Sequence, residues 1–142
     1  MTASDVRTCR RGLHPIHGAV LGGTAPLFLG GLLSDLAYSS SYQIQWSDFA
    51  SWLIAGGLIF SSLALLWAII NLVRADRRGG HFLLYTLLLF ATWVVGFLNS
   101  LTHAKDAWAA MPMSLILSVI VVLLACASTW VGFAKFGVGG GR

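Results

Sequence analysis

Charge is what this chain has least of. Asp and Glu together number 5 and Lys and Arg 9 in 142 residues, so 10% of the chain is charged while 57% is hydrophobic. A soluble domain carries roughly 25% charged residues, and a folded chain this small has too little interior to hide so much apolar surface from water. The shortage excludes an ordinary soluble domain. The net charge of +4 therefore has no soluble surface on which to build a nucleic-acid site. Cysteine is scarce too. Cys9 lies in the N-terminal tail and Cys126 deep in the last apolar run; neither belongs to a CxxC or CxxCH, which excludes a zinc site and a covalently attached c-type haem. There is no GxGxxG, no GxxxxGK followed by Ser or Thr, no HExxH, and no serine in a nucleophile elbow, so nucleotide binding and the common hydrolytic chemistries lack their motifs. No acidic residue falls at mid-span, which counts against an ion-coupled pump.

What the chain does have is four long apolar runs, at about 14–38, 49–73, 81–101 and 112–134. At about 1.5 Å per helical residue each can cross a hydrocarbon core of roughly 30 Å. Strands of a β-barrel would be shorter and alternating. The fold expected is an all-α integral membrane protein, one four-helix domain over residues 1–142. Arg7, Arg10, Arg11, Arg74, Arg77, Arg78, Lys135 and Arg142 share one side and Lys105 stands alone on the other. The positive-inside rule then makes both termini cytoplasmic. Tyr38, Tyr42, Trp46, Trp52 and Trp108 are expected at the outer headgroup layer, Trp67, Tyr85 and Trp130 at the inner one, with Trp93 buried near mid-span.

Small residues mark helix contacts in lipid, where close approach replaces hydrophobic burial. Gly18, Gly22, Pro26, Gly30 and Ser34, every four residues, predict a smooth ridge on the first helix with a kink at Pro26. Gly57 and Ser61, Gly96 and Ser100, and Ser128 and Gly132 extend the pattern to the other helices. "RRGLH" at 10–14 is echoed by "RRGGH" at 77–81; as two tandem hairpins this would put His14 and His81 at one depth.

The titratable residues crowd the helix ends. Diagonal helices of a bundle lie roughly 11–14 Å apart, given about 8–10 Å between neighbours, a gap that two imidazoles span when they clamp a haem iron. His14 or His17, with His81 opposite, are candidate ligands of a b-type haem, or neighbours of a quinone. Arg11 and Arg78 would meet propionates or a quinone head, and the glycine ridge would leave room for a flat macrocycle. At the outer end Asp35, Asn99 and His103 form a second polar group. A carboxylate beside a histidine is a candidate proton or quinol site, or a polar pair tying helices one and three.

"LHPIH" opening the first helix, "SDLAY" closing it, "WLIAGGL" in the second, "GGH" opening the third, and "NSLTHAKDAW" leading to "MPMSLILS" together resemble a bacterial transmembrane family, domain of unknown function 2231. The resemblance runs over nearly the whole chain. Family members often carry a further proline and "FP" after the opening histidines, where this chain has Gly18-Ala19-Val20 and Gly22-Gly23. The resemblance implies a four-helix protein of the bacterial inner membrane, with His14, His17, Asp35, His81, Asn99 and His103 as the family's polar marks. It also implies the company of periplasmic dehydrogenases and c-type cytochromes.

The expected function is a small redox subunit or anchor, holding a b-type haem or quinone between helices and linking a redox partner to the quinone pool. The alternative is a cofactor-free accessory subunit packed against a larger membrane complex. A small-solute channel or transporter ranks third. Lipid and other membrane subunits are the expected partners, nucleic acid is not, and no independent catalytic activity is expected.

Overall fold

A computed structural model describes residues 13–74 and 79–136, apart from the side chain of Phe136. Among them the chain forms α1 (Pro15–Ser41), α2 (Ile44–Val73), α3 (Gly80–His103), a single turn α4 (Ala107–Ala110) and α5 (Met113–Phe136), with no strand. Four helices are long and apolar enough to cross a membrane. Arg11, Arg78 and half of the "RRGLH"/"RRGGH" echo lie outside the described residues.

Local chemistry sets the helix boundaries. Pro15 fits the first turn of α1, where an amide would have no partner in any case. The His14 ring caps that end, accepting from Ile16 N at 3.3 Å. The helix stops at Tyr42, whose backbone is left-handed (φ 55°) and whose N–H returns to Tyr38 O at 2.8 Å, an αL cap. That tight reversal lets α2 begin at Ile44, five residues before the expected span at 49. The α1 helix runs on through Pro26 without a break. The short α4 between the third and fourth spans was not legible in the sequence.

Each of the four long helices packs on two neighbours. α1 lies against α2 and α5, and α3 lies against the same two, so α1 and α3 are diagonal and run parallel. The buried positions recur with spacings of three and four. On α1 they include His17, Leu21, Thr24, Phe28, Gly31, Asp35 and Tyr38; on α2 Ser47, Ala50, Ile54, Gly57, Ser61, Ala64 and Ala68; on α3 Phe82, Tyr85, Leu89, Thr92, Gly96 and Asn99. On α5 Ser114, Ser118, Val121, Ala125, Ser128 and Gly132 follow the same rule. This is the heptad seam of four-helix bundles, but its members are mostly small or polar. Large apolar residues such as Ile16, Leu33, Trp52, Leu87, Leu123 and Trp130 face outward instead. Such an inverted distribution suits lipid, which solvates leucine as well as a protein core does.

The interior is filled. Leu21, Phe28, Ile54, Leu89 and Val121 have no exposed surface. The Phe28 ring sits between Gly57 of α2 and Gly96 of α3, so close that a Cβ on either glycine would lie 3.0 Å from it. The expected ridge on α1 meets its neighbours unevenly, tightly at Gly30 and loosely at Gly22. A row of residues spaced by four drifts by about 40° per step around a helix, so its members reach different surroundings. Gly22 approaches Phe133 of α5, Gly30 approaches Leu53 of α2, and Pro26 between them is exposed. Tyr85 and Tyr38, expected at the headgroup layers, are instead buried at 0% and 5% exposure.

Candidate functional site

Two polar clusters bracket the apolar interior, and both join the diagonal helices α1 and α3. At the end nearer the chain termini, His17 Nε2 and the Tyr85 hydroxyl are 2.7 Å apart. At the far end, called distal below, His103 Nε2 and Asp35 Oδ1 are 2.8 Å apart. His17 and Asp35 are eighteen residues apart on α1, as are Tyr85 and His103 on α3. Eighteen residues make about five full turns and about 27 Å of rise, which returns each pair to the same helix face. That rise is close to the roughly 30 Å of hydrocarbon. The clusters are thus separated by about the thickness of a hydrocarbon core.

The distal cluster draws on three helices. Asp35 of α1, Asn99 of α3 and Ser118 of α5 are each exposed by no more than 1%, and the His103 side chain is 2% exposed. Asn99 Nδ2 donates to Ser118 Oγ at 2.9 Å, and Ser118 Oγ donates to Asp35 Oδ2 at 2.5 Å. His103 meets the other oxygen of Asp35, and its Nδ1 lies 3.0 Å from the backbone oxygen of Asn99. The bonds thus form a closed circuit that begins at the Asn99 side chain and ends at its own main chain. Asp35, Asn99 and His103 were legible as a group; Ser118 was missed. Its signal was its place on the α5 seam, four residues after Ser114. The serine bonds the carboxylate and not the imidazole, so this is no nucleophilic triad, which needs the hydroxyl on the histidine.

The proximal group departs from the expected haem clamp. His81 is exposed at the start of α3. His14 is exposed as well; it caps α1 and lies 5.3 Å from the Trp67 ring, centroid to centroid. Of the three histidines only His17 is buried, and across the diagonal it meets Tyr85, where an iron would have to sit. The sequence assigned Tyr85 to the headgroup belt because an aromatic near a helix end ordinarily belongs there. No three metal-binding side chains converge among the described residues. A cleft of about 180 Å³ opens beside His17 between α1 and α2, lined by Ile16, Val20, Leu63, Leu66, Trp67 and Ile70. Small-molecule pockets run to about 300–1,000 Å³, so this one has room for a single ring and not for a porphyrin. The residues do not fit a bis-histidine haem.

One further side-chain bond crosses the bundle. Trp93 Nε1 of α3 donates to Ser62 Oγ of α2 at 2.8 Å, so the indole expected near mid-span is only partly buried and is held to a neighbouring helix. Thr24, Ser34, Ser51, Thr86 and Thr92 bond back to the carbonyl four residues earlier, which satisfies their hydroxyls without a second helix.

Fold and polar clusters together define a class: a four-helix membrane bundle, clasped toward both ends of α1 and α3. The family follows from comparison with known proteins. The family model described as "Predicted membrane protein (DUF2231)" matches residues 13–138, and the chain belongs to that family. No curated protein matches it, and no solved structure does.

Proposed function

We propose that the protein is a cofactor-free accessory subunit of a larger assembly in the bacterial inner membrane, with both termini cytoplasmic. The observation that carries this reading is how the internal polar groups are used. His17, Asp35, Asn99, His103 and Ser118 bond to one another or to Tyr85, across helices. Their role is to hold α1, α3 and α5 in register. The packed axis around Phe28 supports the same reading over a channel. The outward surface of Leu, Ile, Phe and Trp offers neighbouring membrane chains a broad apolar contact. The cleft beside His17 keeps a second reading in play, a quinone ring held in that leaflet.

Both readings meet one experiment. The tagged protein is extracted in mild detergent from membranes that naturally contain it, sized, and analysed for bound haem and quinone. The accessory reading expects a colourless particle much larger than the 15.2 kDa chain, with other membrane chains in fixed ratio. A chain that runs alone, with a haem or quinone at one per polypeptide, overturns it.

A further inference from the structure

Hydrogen-bond accounting at the distal cluster leads beyond a structural clasp. The backbone oxygen of Asn99 can only accept, so His103 Nδ1, 3.0 Å away, carries a hydrogen. That leaves Nε2 facing Asp35 Oδ1 at 2.8 Å. If the imidazole is neutral, Nε2 is a lone pair and the carboxyl must supply the hydrogen between them. If the carboxyl is ionised, the imidazole must be doubly protonated. Both assignments place one hydrogen in the gap, and both leave the pair without net charge. On the other side Ser118 donates to Asp35 Oδ2 and is itself supplied by Asn99, so no second donor is needed there.

We propose that Asp35 and His103 form a binding site for a single exchangeable proton, and that this proton closes the distal clasp between α1, α3 and α5. Removing it leaves two choices. A lone pair can face a carboxylate lone pair across 2.8 Å. Alternatively the ring can move its remaining hydrogen to Nε2 and forfeit the bond to Asn99. In either case one of the two His103 contacts fails, and a net negative charge is left in a site exposed by 1–2%, which is costly without a partner. The proton comes from water and returns to it, and no bond between heavy atoms changes. His103 is the last residue of α3 and Ala104, Lys105 and Asp106 beyond it are exposed, so water lies close by. The other ionisable groups at this end are Tyr38 on α1, buried, and Tyr42 at the end of α1, Asp48 on α2, Lys105 and Asp106, all exposed. The α5 helix brings only Ser118 and Ser114 to this end, and neither titrates. The inference is independent of the accessory-subunit reading, since a proton can be bound whatever the partner.

The test uses the full chain in nanodiscs with ¹⁵N-labelled histidine, assigning the His103 ring nitrogens by comparison with His103→Gln, together with infrared spectra of the carboxyl region. At pH 7 the expected result is Nδ1 protonated, plus either a protonated Nε2 or a protonated-carboxyl band. Asp35→Asn should lose that second hydrogen at the same pH, whereas Ser118→Ala should keep it. A parent with neutral His103, its only hydrogen on Nε2, beside an ionised Asp35 overturns the proposal. So does an Asp35→Asn variant whose His103 titrates as the parent does. Should Asp35→Asn fail to fold, the parent spectra decide alone.

Discussion

A methyl group added at Gly96 should destabilise the bundle, whereas one added at Gly22 should not. In Gly96→Ala the new Cβ would lie 3.0 Å from Phe28 Cζ and 3.2 Å from Leu58 Cδ2. The phenyl ring has little room to yield, because it has no exposed surface and is packed between α2 at Gly57 and α3 at Gly96. Overpacking of a fitted core costs typically about 1–3 kcal/mol. The lower backbone freedom of alanine offsets about 0.5–1 kcal/mol of that. The net loss is then about 1 kcal/mol or somewhat more, a fall of several degrees in unfolding temperature for a chain of this length. At Gly22 the new methyl would lie 3.8 Å from the Phe133 ring, an ordinary contact, so Gly22→Ala should be neutral or raise stability by about 0.5–1 kcal/mol. Thermal unfolding in one detergent, followed by tryptophan fluorescence, compares the two. Phe28→Leu supplies the control: the Gly96→Ala penalty should shrink in that background, since the two residues share the space. A Gly96→Ala variant that unfolds at or above the parent temperature, or a Gly22→Ala variant that proves the more damaging, refutes the assignment of Phe28 as the plug of the bundle.

Tyr85→Phe removes the hydroxyl that meets His17 across the diagonal. Depriving the buried imidazole of that bond should cost about 1–3 kcal/mol in the same unfolding assay. Trp93→Phe deletes one interhelical bond at a half-buried site, and such bonds average about 0.6 kcal/mol in membranes, so the shift should be barely measurable and clearly smaller than that of Tyr85→Phe. For the proposed orientation, a reporter active only in the periplasm should give no signal when fused after Arg142 and a strong one when inserted after Lys105.

The membrane class, the number of spans and the grouping of Asp35, Asn99 and His103 could be read from residues alone, because apolar length and polar residues at helix ends are properties of single segments. The seam could not. Its positions carry serine, threonine, glycine, asparagine and histidine among alanines and larger side chains, so no hydrophobic stripe reveals which face turns inward. The glycine row on α1 is a contact face at Gly18, Gly22, Gly30 and Ser34, but the seam advances by alternating steps of three and four, which bring His17 and Asp35 inward and turn Pro26 outward. Tyr85 read as a headgroup-belt aromatic and Ser118 went unnoticed for the same want of a visible seam on α3 and α5. The similar offsets between His14 and His81 and between His17 and Tyr85 show how little separated the two readings: equal depth at a helix mouth is visible in sequence, but which residue turns toward the diagonal helix depends on the phase of the seam.

The most direct test of the central claim, that the buried polar residues serve to clasp α1 to α3, is the coupling energy between Asp35 and His103. Asp35→Asn, His103→Gln and the double variant are each unfolded in the same detergent. The account predicts that either single change is nearly as damaging as both together. Each alone breaks the closed circuit through Ser118 and Asn99, and the coupling should fall in the range of about 0.5–3 kcal/mol found for residues sharing one network. Losses that simply add, with no coupling between the two sites, would contradict it.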